Sequence, residues 1–170
     1  KIVPDPTDAN TLSLSFSDTT PVDRFFGKEV LLHGNGNVRM DRINSGAPFL
    51  FNHNPDDPIG VVVPGSAIVA GGRGQAQIKF FPTSRGQDAR TMYDSGLRNV
   101  SVGYDIHAVE ERPGRDGFNI TDWEPTELSF APVPAVTSVG MGRADPNTEH
   151  EVRIQRATNT PAAAAAGEVA

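Results

Sequence analysis

Through most of the chain apolar and polar residues alternate with a period of two, the pattern of strands buried on one face. Thr11-Leu12-Ser13-Leu14-Ser15-Phe16-Ser17 is the plainest example. Pro21 to Phe26 and Lys28 to His33 read as two short extended pieces about Gly27, and His33-Gly34-Asn35-Gly36-Asn37 as a turn. Phe49 to Asn52 is a short apolar strand. Asn54-Pro55-Asp56-Asp57-Pro58 is predicted as a turn, because both prolines lack a backbone donor and aspartates favour Asx turns. Ile59 to Val63 is a β-branched strand. Ala67 to Val69 and Gln75 to Phe81 predict a hairpin across Gly71-Gly72-Arg73-Gly74. Val100 to Val109 and Phe118 to Phe130 predict a long strand pair turned at Pro113 to Gly117. One segment departs from period two. After Thr83 or Ser84, which can cap a helix, Ala89, Met92, Tyr93 and Leu97 recur at helical spacing, with Gly96 as a stop signal. Val38 to Asn44 fits one helical turn or a loop.

The pattern predicts a mainly β (α+β) fold, an antiparallel barrel or sandwich carrying a few helices. Residues 1–10 read as a flexible lead-in, 11–143 as one folded domain and 144–170 as a polar, Ala-rich tail or linker. The chain has 170 residues, 37% of them hydrophobic, and a net charge of -6. No basic run exists, which argues against nucleic acid as a partner. No apolar run approaches the ~18 residues of a membrane-spanning helix. Cysteine is absent, which excludes a disulfide framework, a Cys-ligated metal and a thiol nucleophile. The first residue is Lys1, as in a fragment or a processed product.

Three strand-like segments each carry one reactive side chain. Leu50-Phe51-Asn52-His53 places His53 where a strand gives way to a turn, fixed on one side and open on the other. Asn99-Val100-Ser101-Val102-Gly103-Tyr104 places Ser101 on one face with Gly103, whose missing side chain leaves room beside the hydroxyl for a substrate or another backbone. Glu127-Leu128-Ser129-Phe130-Ala131-Pro132-Val133-Pro134-Ala135 places Glu127 opposite Leu128 and Phe130. A nucleophilic serine, a histidine base and a carboxylate that orients the histidine are the parts of a serine hydrolase. Each has an ordinary alternative: a serine in a strand, a histidine closing a turn, a solvated carboxylate on an edge strand. Asp122 and Glu124 compete with Glu127, and Asp56 and Asp57 could hold a metal with His53. His33 and His107 are rival bases. His107 is six residues beyond Ser101, ~20 Å along an extended strand. His33 precedes a glycine turn and has no evident partner.

Together the three segments resemble the prohead (capsid maturation) proteases of tailed phages, the HK97 type, and distantly herpesvirus assemblin. The likeness rests on Phe49 to His53 running on to Ile59-Gly60, on Ser101-Val102-Gly103-Tyr104, and on Glu127 to Ala135, in that order. Pro21-Val22-Asp23-Arg24-Phe25-Phe26-Gly27-Lys28-Glu29 also looks like the opening of versions fused to a major capsid protein. The Val136-Thr137-Ser138 that follows Ala135 departs from the usual Asn or Asp and proline. The resemblance implies a β-barrel flanked by helices and a serine endopeptidase with His53, Ser101 and Glu127 as its catalytic residues. Backbone N–H groups would form the oxyanion hole, joined by a bound water or an arginine, for which Arg98 and Arg143 are candidates. The implied partners are a scaffold protein and a major capsid protein precursor, fused in cis or separate, with a homo-oligomer allowed. No cofactor and no metal are implied. The implied location is the prohead interior within the host bacterial cytoplasm, with self-cleavage in the tail. A catalytically silent capsid-assembly module of the same fold fits the composition equally well. An esterase with the same three residues and a metal-dependent enzyme are further rivals.

Overall fold

The fold is that of a computed structural model, which describes residues 3–4, 10–114, 116–132 and 153–155. In chain order the elements are β1 (Val3–Pro4), β2 (Thr11–Asp18), β3 (Val22–Arg24), β4 (Gly27–Leu31), α1 (Asp41–Asn44), β5 (Pro48–Phe51), β6 (Asn54–Val62), β7 (Ile68–Ala70), β8 (Arg73–Phe80), α2 (Ser84–Asp94), β9 (Val100–Glu111), β10 (Gly117–Phe130) and β11 (Arg153–Gln155).

The strands pair in the order β1-β2-β8-β6-β5-β10-β4-β3, with β7 beside β8, β9 beside β10 and β11 beside β9. β10 organises this sheet. One edge carries β9, antiparallel along nearly its whole length. The other edge carries β4 at residues 117–120 and β5 at residues 128–130, both parallel to it. Among the described residues the fold is therefore mainly β with two helices, and the period-two pattern predicts a mainly β fold. The closed antiparallel barrel is not confirmed. No pairing among the described residues closes the sheet, and β4 and β5 run parallel to β10 and β11 parallel to β9. Alternation reports which face of a strand is buried; it carries no information on the direction of the partner.

The segment Asn54 to Pro58 also differs from expectation. It is the start of β6, and the turn lies one step earlier, at Asn52 and His53. Leu50 faces Pro58 while Phe51 faces Asn54, so residues 55–57 bulge out of the ladder. The bulge contains the Asx turn that the composition favours, since the Asp56 N–H donates to Asn54 Oδ1 at 3.0 Å.

The core gathers Leu12, Leu14 and Phe16 of β2, Phe49, Ile59 and Val62, Ile78 and Phe80, Val102, and Trp123, Leu128 and Phe130 of β10, all buried. Trp123 is fully buried, and its indole N–H donates to the Leu32 carbonyl at 2.9 Å. α2 is capped as expected, with Thr83 Oγ1 accepting from the Gly86 N–H at 3.1 Å. Its first turn lies directly on the sheet. A Cβ on Gly86 would collide with the Phe81 carbonyl and approach the Ile59 carbonyl to 3.0 Å. Backbone cannot yield as a flexible side chain can, so Gly86→Ala should destabilise by about 1–3 kcal/mol. Denaturant unfolding measures this, and an unchanged midpoint would refute the packing account.

Candidate functional site

His53 sits in a two-residue turn between β5 and β6, where Asn52 has φ 53° and His53 has φ 59°. Both values are positive, as in the type I′ turns that match strand twist. Asparagine tolerates this region, but histidine does so at a cost of order 1 kcal/mol. β10 compensates through two bonds. The Asn52 N–H donates to the Phe130 carbonyl at 2.9 Å, and the His53 N–H donates to Ser129 Oγ at 3.0 Å. The imidazole then lies over the β9–β10 ladder, where Ser101 faces Ser129 and Gly103 faces Glu127.

His53 Nδ1 is 2.5 Å from Glu127 Oε1, and His53 Nε2 is 2.7 Å from Ser101 Oγ. An ionised carboxylate only accepts, so Nδ1 carries the proton and Nε2 accepts from the serine hydroxyl. The Ser129 hydroxyl donates to the other carboxylate oxygen, Glu127 Oε2, at 2.9 Å. Ser101 is 1% exposed, while the His53 and Glu127 side chains keep 21% and 13% of their surface. The structure thus brings His53, Ser101 and Glu127 into one hydrogen-bonded line, with the serine hydroxyl polarised toward a histidine that a carboxylate orients. Gly103 plays a different part from the one expected. A Cβ there would collide with Glu127 Oε1 and come within 2.9 Å of its Cδ, so the space beside Gly103 is filled by the Glu127 side chain.

The rivals are engaged elsewhere. Asp57 receives both Nε and Nη2 of Arg85, which also lies over the Phe51 ring at 4.2 Å. That bond holds the Asp57 carboxyl below its ordinary range. Among the described residues no group of three or more His, Cys, Asp or Glu side chains could hold a metal. Asp122 binds Arg39 through Nε and Nη2. Glu124 Oε2 lies 3.8 Å from His107 Nε2, a buried nitrogen with no hydrogen-bond partner among the described residues. Arg98 lies over the Tyr93 ring at 3.8 Å, and Arg143 falls outside the described residues, as do most of the tail and the self-cleavage expected there.

Two polar groupings escape the sequence reading. Ser129 is one, although it shares a strand face with Glu127 two residues away. The other joins β3, β4 and β9. Glu29, 3% exposed, accepts from Arg24 Nη2 at 2.8 Å and from the Tyr104 hydroxyl at 2.5 Å. Burial, then the Glu29 charge, push the Tyr104 phenol above its ordinary value.

Two relatives are found among known proteins. The major capsid protein of Halomonas phage phiHAP-1 is 33% identical over 149 residues, which cover 84% of this chain and 25% of that protein. The capsid polyprotein of Pseudomonas phage PAJU2 is 33% identical over 94 residues, 52% of this chain and 14% of that protein. Both relatives are phage capsid proteins. No family model matches, and the solved structures yield no match. The chain spans about a quarter of the length of the first relative and less of the second. These findings support a bacteriophage capsid setting and correct the expectation of a prohead serine endopeptidase. Both relatives are named for capsid structure and neither for proteolysis, so the alternative of a capsid-assembly module is the better supported reading. No helix among the described residues is long and apolar enough to cross a membrane.

His33, expected to stand alone, is a satisfied buried histidine. Its Nδ1–H donates to the Leu31 carbonyl at 3.0 Å, the Ser17 hydroxyl donates to its Nε2 at 2.8 Å, and its ring meets Trp123 edge-on. Burial pushes its pKa down, opposed in part by the Leu31 bond and the Asp18 charge. Below about pH 6.5 the unfolded chain therefore binds a proton that the folded chain resists, and stability falls as pH falls. Thermal unfolding from about pH 7.5 to about pH 5 should lose more stability in the wild type than in His33→Gln; equal losses would refute this assignment. Carboxylates held low, such as Asp57 and Asp122, lose their contribution only at lower pH.

Proposed function

We propose that this chain is a structural module of a bacteriophage capsid polypeptide and acts in capsid assembly. The observation that carries the reading is the alignment of 84% of the chain with part of a major capsid protein. The share of that relative covered, 25%, suits a module within a larger coat polypeptide. Its partners are then further copies of the coat polypeptide and a scaffold protein, and its place is the growing shell in the host cytoplasm.

His53, Ser101 and Glu127 are the functional residues proposed for this module. They lie on the β5–β6 turn, on β9 and on β10, segments far apart in sequence, and their two hydrogen bonds tie these together at one end of β10. In a shell protein such a cluster adds directional bonds to the strand placement that apolar burial already sets.

The test is co-expression of the chain with the coat polypeptide of the same phage, as wild type and as Ser101→Ala. Electron microscopy and intact mass of every polypeptide are the readouts. The structural reading expects shells that contain the chain, with the same polypeptide masses in both variants. Absence of the chain from the shells would overturn it. So would a mass change in the wild type that Ser101→Ala abolishes, because that change would require the hydroxyl to react.

A further inference from the structure

We infer that Ser129 is the positioning residue of this site, a single buried hydroxyl that sets both the backbone and the ring of His53. The inference rests on His53, Ser101 and Glu127 forming the functional site of the module, and it concerns how that site is held.

Ser129 is fully buried. A hydroxyl has one proton to give and lone pairs to accept with, and this one uses both capacities on the site. Its oxygen accepts the His53 N–H at 3.0 Å, and its proton goes to Glu127 Oε2 at 2.9 Å. Glu127 Oε1 in turn accepts from Nδ1–H of the same histidine. The bonds form a closed circuit that leaves the backbone of His53, passes through Ser129 and the carboxylate, and returns to the His53 ring.

Closure has a physical effect beyond two added bonds. A glutamate has three side-chain torsions, and its terminal one is broad. One contact to Oε1 leaves the carboxylate free to rotate about it; the second contact, to Oε2, removes that freedom. The left-handed backbone of His53 is likewise a state the residue would leave without support. Ser129 opposes both motions at once. Its location permits this, since Ser129 lies opposite Ser101 on β9 and Leu50 on β5.

A purely structural serine would lower stability when removed and leave the histidine ring as it was. Nuclear magnetic resonance of the full chain separates the two cases through the His53 Nδ1–H proton. In the wild type this proton should be observed and protected from exchange, and the His53 amide should be protected as well. In Ser129→Ala, with the fold intact by amide dispersion, the Nδ1–H proton should exchange roughly tenfold faster or vanish, on the scale of one lost hydrogen bond. Gly103→Ala, which displaces Glu127, should give the same loss while keeping the His53 amide protected. Ser101→Ala should keep both signals.

An unchanged Nδ1–H proton in Ser129→Ala would overturn the proposal, whatever the loss in stability. Should Ser129→Ala fail to fold, the wild type still decides: rapid exchange of the His53 amide would mean that the Ser129 bond does not hold the turn. None of these readouts depends on shell formation, so the capsid reading and this one fail separately.

Discussion

The register of β9 against β10 is the constraint on which the site depends. Side chains along a strand alternate, so one ladder decides which four residues share a surface. Here it places Ser101 and Gly103 beside Ser129 and Glu127, and turns Val102, Tyr104, Leu128 and Phe130 the other way, into the core. A slip of one residue would turn the serines and the glutamate toward the apolar core and the core set away from it. The apolar face thus enforces the polar face: the burial that stabilises the sheet also sets the positions of groups that contribute little to that burial.

Parallel pairing of β5 with β10 supplies the third component. Phe51 lies opposite Phe130, which brings the next two residues of the chain, Asn52 and His53, over the end of the ladder. The turn there contains only two residues and is bonded to β10 at both backbone N–H groups. The histidine is therefore carried by sheet geometry, with little loop entropy to restrain. Arg24, Glu29 and Tyr104 join β3 and β4 to β9 through a buried charge bonded to both the guanidinium and the phenol. Leaving either member of such a pair alone would cost far more than the pair contributes.

Much of this was legible from residues alone. Period-two alternation located most strands, the helix after Thr83 followed from spacing and a cap, and His53, Ser101 and Glu127 stood out because each interrupts an apolar segment. What alternation lacks is partner identity and direction. The parallel placement of β4 and β5 on one edge of β10 is a property of tertiary pairing, and with it went the closed barrel. The prolines at 55 and 58 signalled a break in the ladder, but a bulge and a turn share the same composition, so the turn was placed too late. The partners of His33 and the part played by Ser129 were missed for a common reason. A buried polar residue is recognised by its partners, and those of His33 include Ser17, far from it along the chain. The protease assignment failed differently. It transferred an activity from short motifs, while the likeness over most of the chain is to proteins named for the shell.

The two-residue turn at Asn52 and His53 also bears on how this surface tolerates change in length. Every group of the site is fixed by local register at one end of β10, and apart from the two-residue β5–β6 turn the connections between the strands take no part in it. The β9–β10 connection lies at the far end of the ladder, and the β7–β8 turn closes on strands that carry no site residue. Those tips can lengthen or shorten at small entropic expense without moving the imidazole. A single residue inserted within 50–54, 101–103 or 127–130 would dismantle it. The molecule thus divides into spans where length is free and spans where it is counted residue by residue, a division that composition does not show.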